Sequence, residues 1–298
     1  MEKIALLIFG SLIMAGATAR PSAPADSLKS WKTGGITSFN FTQVSLTNWA
    51  AGGKSSASGT VLLTTFANYK KDNVIWQNSV DLGYGIMKEE GDKIEKTDDK
   101  IELNSKYGYR AVKNLYYSVL FNFRSQFSSG YDYPDRENAI SRFMAPGYLT
   151  LALGANYQFS DSFSLFFSPL TGKLTLVLDD ELSSQGAFGV DPGKRSREEI
   201  GAYLMTGFKK EILKNVMLDT KANFFSNYLD SPQNIDVNWD FMLNMKINNY
   251  LSTTISTSLI YDDDTKIAVD KNNDGVIDEY GPRIQFKELF ALGVNLKF

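Results

Sequence analysis

The sequence predicts an all-β fold, a transmembrane antiparallel β-barrel of about twelve strands, and three observations lead to it. Apolar and polar residues alternate with period two over most of the chain. Long charged side chains gather on one face of each alternating segment, and aliphatic and aromatic ones on the other. The connections between segments are short and long by turns. The first observation gives strands with one greasy and one wet side. The other two suit lipid outside, a polar lumen inside, aromatic girdles, and short periplasmic turns opposite longer extracellular loops.

Composition narrows the functions. The chain has 298 residues, 31 basic and 34 acidic side chains, no cysteine and no histidine. Zero cysteine excludes a disulfide framework, thiolate metal ligands and lipid-bearing cysteine. Zero histidine excludes Ser-His and Cys-His nucleophile systems and His-ligated zinc. A net charge of −3 gives no electrostatic reason to expect nucleic acid as a partner. The 15 Tyr and 20 Phe suit a lipid-facing surface, while alternation holds the mean hydropathy at only −0.22.

Met1-Glu2-Lys3, an apolar run from Ile4 to Ala15, and Thr18-Ala19 before Arg20 read as a secretory signal over residues 1–19, cleaved near Ala19. The competing reading is a spanning helix, but the run is about twelve residues where about twenty are needed. Residues 20–34 form a Pro/Ser/Ala-rich periplasmic lead-in and residues 35–298 the barrel. With no later apolar helix, any crossing of the bilayer falls to strands closed into a barrel.

Taken in order, the expected strands are 35–46, 58–70, 74–87, 100–111, 114–127, 147–159, 162–178, 199–212, 215–228, 235–248, 249–261 and 283–298. Leu115, Tyr117, Val119, Phe121 and Phe123 alternate with Tyr116, Ser118, Leu120, Asn122 and Arg124. Ile235, Val237, Trp239, Phe241 and Leu243 alternate with Asp236, Asn238, Asp240, Met242 and Asn244. In the last segment Phe286, Phe290, Leu292, Val294, Leu296 and Phe298 share one face. Segment 162–178 is irregular, because Pro169 and Gly172 interrupt it and its apolar parity switches, which reads as a bulge. An even strand count places both chain ends on the periplasmic side.

Three sites stand out. Asp270, Asn272, Asp274 and Asp278 put oxygen ligands at positions 1, 3, 5 and 9 of a turn in which Gly275 stands at 6 and Val276 offers a carbonyl at 7. That is calcium-loop spacing, so Ca2+ is the candidate cofactor. The pattern departs at position 12, where Gly281 replaces the bidentate Glu; the competing reading is an acidic surface loop. Asn48-Trp49-Ala50-Ala51-Gly52-Gly53 reads either as a constriction loop or as a plain glycine-rich external loop. Asp81, Glu102, Lys106, Arg110, Arg124, Asp219, Lys221, Asp236, Asp240 and Lys246 fall on inward faces. They line either a polar pathway or a plugged lumen with opposite charges paired across it.

The ending FALGVNLKF resembles the closing strand of bacterial outer-membrane barrels, whose assembly machinery reads the terminal aromatic; the resemblance implies Phe298 as an assembly signal. The stretch TQVSLTNWAAGGKSSASG (Thr42 to Gly59), with DKNNDGVIDEYGPR (Asp270 to Arg283) and the closing strand, resembles the domain of unknown function 3078 family of Bacteroidota outer-membrane proteins. That resemblance implies a barrel in the outer membrane of a Gram-negative bacterium, with outer-membrane lipid and the assembly machinery as partners. The function expected is a small-solute or ion channel. The alternative is a non-conducting structural or adhesive barrel whose extracellular loops are ordered by calcium. No catalysis is expected: the acidic pair on one strand face, Asp236 and Asp240, stands roughly 13 Å apart, too far for a typical glycosidase pair.

Overall fold

The structure, a computed structural model, describes residues 30–47, 51, 53–248, 250–269 and 278–297. The expected signal (1–19), Trp49 and Phe298 lie outside the described residues.

Among the described residues sixteen strands occur in chain order: β1 (Trp31–Val44), β2 (Ser56–Lys71), β3 (Val74–Glu89), β4 (Glu95–Val112), β5 (Leu115–Ser125), β6 (Gly130–Tyr131), β7 (Ala139–Ser141), β8 (Gly147–Gln158), β9 (Phe163–Leu176), β10 (Ser196–Leu213), β11 (Val216–Asn227), β12 (Ile235–Lys246), β13 (Leu251–Tyr261), β14 (Lys266–Val269), β15 (Glu279–Pro282) and β16 (Gln285–Lys297). Twelve close into one antiparallel barrel, in the order β1-β16-β13-β12-β11-β10-β9-β8-β5-β4-β3-β2 and back to β1. Each of the twelve strands read from the sequence falls on one of these. β1 opens at Trp31, four residues ahead of the expected start. β6 with β7, and β14 with β15, form small hairpins within the long loops. Among the described residues no helix is long and apolar enough to cross a membrane. The strands do the crossing.

The hairpin turns at one rim are tight because their residues tolerate left-handed backbone. Asp72, Asn114 and Asn215 take φ of 52°, 65° and 66°, a conformation Asp and Asn adopt more readily than other side chains. The opposite rim carries the long connections 45–55, 126–146, 177–195 and 262–284. The irregularity expected in segment 162–178 is a bulge. The register of β9 shifts at Ser168 and Pro169 against β8 and at Pro169 and Leu170 against β10, since proline has no N–H to give to a ladder.

Side chains alternate across the wall as the period-two pattern requires. Val61, Val119, Phe121, Leu151, Leu153, Phe167, Ile200, Trp239, Phe290 and Val294 are exposed on the outside around the whole circumference. A continuous apolar band of this kind is explained by contact with hydrocarbon. At the short-turn rim Trp31 packs against Tyr69 and Trp76, ring centres 5.2 and 5.8 Å apart, and Tyr157 meets Phe159 at 4.6 Å. Those rings make the girdle there.

The long loops are folded structures in their own right. Helix α1 (Asp180–Ser184) is capped by Asp179, whose side chain accepts from the Leu182 N–H at 3.0 Å. Leu182 packs with Val177, Val190 and Ala145, tying loop 177–195 to loop 126–146. Asp99 on β4 accepts from the N–H groups of Phe127 and Ser128 at 2.7 and 2.9 Å and anchors the start of loop 126–146.

Candidate functional site: the barrel lumen

Closure of the barrel brings charged side chains from opposite walls together. β4 and β11 stand nearly opposite each other in the strand order. Lys221 Nζ on β11 lies 3.4 Å from Glu102 Oε1 and 3.3 Å from Asn104 Oδ1, both on β4. Glu102 is only 6 % exposed. It also pairs with Lys100 at 2.8 Å and accepts from the amides of Asn104 and Asn122 at 3.2 Å each. A buried carboxylate with two cations and two amide donors has its desolvation offset by partners, the arrangement that keeps a buried charge ionised. A second bridge runs parallel to the first. Arg124 on β5 donates to Asn238 Oδ1 on β12 at 3.0 Å, again between nearly opposite walls.

Nearer the long-loop rim, Lys173 on β9 gathers three carboxylates. Its Nζ lies 2.6 Å from Asp236, 3.4 Å from Glu199 and 3.6 Å from Asp262. Arg197 joins the same group, 3.0 Å from Glu199 and 2.9 Å from Asp264. On the short-turn side of these clusters lies an apolar one. Leu120, Ala152 and Phe166 are buried together, with Tyr203 and Met205 packed against them. Lys106 on β4 donates to Asn156 on β8 at 2.8 Å.

Between the rim cluster and the bridges lies a cavity of about 160 Å³. Arg124 and Lys173 face Glu102, Asp236 and Asp262 across it, and Tyr148, Tyr203, Phe225 and Phe188 supply aromatic wall. Phe188 comes from loop 177–195. The cavity is therefore a vestibule on the long-loop side, with Glu102, Arg124 and Asn238 of the two bridges in its wall.

The other expected lumen residues have local partners. Asp81 accepts from Thr64 Oγ1 at 2.7 Å, and Asp240 accepts from Ser258 Oγ at 2.7 Å. Asp219 pairs with Lys209 at 2.5 Å, and the Arg110 guanidinium lies 5.8 Å from the centre of the Tyr116 ring. Lys246 ends β12 at the short-turn rim. The candidate calcium loop lies largely outside the described residues, which omit Asp270, Asn272, Asp274 and Val276; Asp278 is exposed just before β15. Among the described residues no group of three or more acidic side chains has the geometry to hold a metal ion. Lys173, Glu199, Arg197 and Asp262 were not expected at the site.

The match to known families covers the first third of the barrel. Residues 41–131 match the model of a family described as a protein of unknown function, DUF3078. The matched span includes the Thr42–Gly59 stretch and the strands that carry Glu102 and Arg124. No curated protein matches the chain. Solved structures similar to it include an outer-membrane channel, COG4313, from Pseudomonas putida F1, with 14 % identity and a TM-score of 0.41 over 93 % of this chain and 100 % of that one. The translocator domain of the autotransporter NalP from Neisseria meningitidis is similar at 12 % identity and a TM-score of 0.36, over 90 % and 88 % of the two chains. OmpT, an outer-membrane protein of Vibrio cholerae, is similar at 8 % identity and a TM-score of 0.31, over 90 % and 97 %.

Proposed function

We propose that the chain is an outer-membrane transport barrel that takes a small solute into its vestibule from the long-loop side, with the onward path latched in mid-lumen. One observation carries this reading. The vestibule lies between the charge cluster of the long-loop rim and the mid-lumen bridges, and Glu102, which meets Lys221 of the opposite wall, is part of its lining. A purely structural barrel has no need of a cavity lined by facing cations and carboxylates. A permanently open pore has no use for salt bridges across its lumen. A latch of paired charges holds the resting state shut and releases when a solute or a field competes for either partner. In this reading the apolar band sits in outer-membrane lipid, the short turns face the periplasm, and β16 is the segment that the assembly machinery reads.

The test is conductance in planar bilayers. Wild-type protein is expected to open rarely. The Glu102→Gln/Lys221→Met variant, which removes both charges together, is expected to open far more often at the same voltage. Silence of both proteins, under conditions in which a control porin conducts, sinks the transport reading.

A further inference from the structure

The barrel closes less completely at one junction than elsewhere. β1 and β16 pair at five positions, from Ile36 with Lys297 to Asn40 with Gly293. Every other junction of the barrel pairs at ten or more. In unbroken register the next four positions set Phe41–Val44 of β1 against Leu292–Leu289 of β16. Among the described residues none of these pairs forms. The ladder stops where the Asn40 side chain lies over Gly293: a Cβ there would meet Asn40 Oδ1 at 2.1 Å. Asn40 Nδ2 is buried and has no hydrogen-bond partner.

Backbone N–H and C=O groups left unpaired across the seam are costly in hydrocarbon, so they call for water from the lumen or a molecule passing between the strands. The surroundings say which kind of molecule. The outer lips are apolar: Phe41, Phe286, Phe290 and Leu292 are each more than half exposed. On the lumen side the vestibule lining includes Gln285, the first residue of β16, on the long-loop side of the Leu289–Leu292 stretch, and joins aromatic wall to the charges of Arg124 and Lys173. The straight route is crossed by two bridges, whereas the side route has already lost its hydrogen bonds.

We propose that the unzipped part of the β1–β16 seam is a lateral exit, through which an amphiphile passes between the vestibule and the surrounding leaflet. Its apolar tail moves between the phenylalanine lips and its polar head is held by the vestibule charges. The inference rests on the vestibule being where solute is taken in, and its test separates the two.

The chain has no cysteine, so a Thr42→Cys/Ala291→Cys pair gives one unique cross-link across the seam. Both positions face the lumen and stand opposite each other if the register continues. The purified protein, reconstituted in vesicles, is oxidised or bridged with a short bismaleimide. Transfer of a pyrene-labelled fatty acid into the bilayer is then followed beside potassium conductance. Cross-linking is expected to slow probe transfer about tenfold while conductance stays unchanged, because the seam is sealed and the latch is untouched. The single-cysteine variants should behave as wild type. Equal transfer before and after cross-linking overturns the lateral exit, and so does transfer no faster than into protein-free vesicles. Equal loss of both readouts also overturns it, since the two routes are then one. Silence of the Glu102→Gln/Lys221→Met protein, beside a silent wild type, counts against the transport reading alone.

Discussion

Lys221 and Glu102 touch across the barrel, Nζ to Oε1 at 3.4 Å, although 119 positions separate them in the chain. No local propensity brings them together. Strand order and register do, through closure at β1 and β16.

The two partners should not weigh equally. The Glu102 side chain is 8 % exposed and serves two cations and two amides, while Lys221 is 29 % exposed. Removing the carboxylate leaves Lys100 and Lys221 without their counter-charge. Glu102→Ala is expected to cost on the order of 3–5 kcal/mol, as loss of one member of a buried ion pair does. Lys221→Met should cost about 1 kcal/mol, near the value for a partly solvated pair. Urea unfolding of vesicle-inserted protein measures both, and equal losses would contradict the account.

Two glycines of neighbouring strands make a sharper comparison. A Cβ on Gly154 would lie 2.0 Å from the Phe167 carbonyl oxygen, which is backbone and has no room to move. A Cβ on Gly172 meets nothing within 4 Å. Gly154→Ala should therefore impair barrel assembly, read as loss of the heat-modifiable folded band on a gel. Gly172→Ala should fold as wild type, or slightly better through its less flexible unfolded chain.

Asp135, in loop 126–146 and outside the membrane, holds its turn through its carboxylate. It accepts from the Asn138 side chain at 2.8 Å and from the Glu137 and Asn138 N–H groups at 2.8 and 3.3 Å. The Asn138 side-chain bond, then those backbone bonds, hold its carboxyl below the usual carboxylate range. A depressed value means that the turn is stabilised above the unfolded-chain pKa of about 3.9 and loses that help as pH falls through the lower folded value. Proteolysis at residues 133–139 should accelerate as pH falls below about 4. In Asp135→Ala the loop should be cut readily at every pH. A wild-type profile flat through that range counts against the cap.

The Asp179 cap can be tested on its own helix. Asp179→Ala frees the Leu182 N–H and should destabilise α1 by about 1 kcal/mol. It also removes the partner that Arg142 finds at 3.2 Å. Faster cleavage in loop 177–195 with an unchanged barrel melting temperature is the expected pair of results.

The barrel itself was legible because period-two alternation records which face each residue takes, and the closed wall obeys that record at Glu102, Arg124, Lys221 and Asp236. The irregular segment was legible too, since Pro169 cannot sit in a regular ladder. Lys173 was hidden by that same bulge, which changes parity midway through β9 and turns its side chain inward. Glu199 and Arg197 lie at the head of β10, where alternation has barely begun. Asp262 belongs to a loop and carries no periodic signal. Above all, alternation gives the face of a residue and never its partner across the lumen. That partner depends on closure, which no segment encodes by itself.

The latch has an electrical consequence. The Glu102–Lys221 contact runs between nearly opposite walls, across the barrel and not along it. A voltage applied across the bilayer acts along the barrel, and moving one elementary charge through 100 mV is worth about 2.3 kcal/mol. The two charges carry opposite signs, so the field pushes them in opposite axial directions and shears the contact at either polarity.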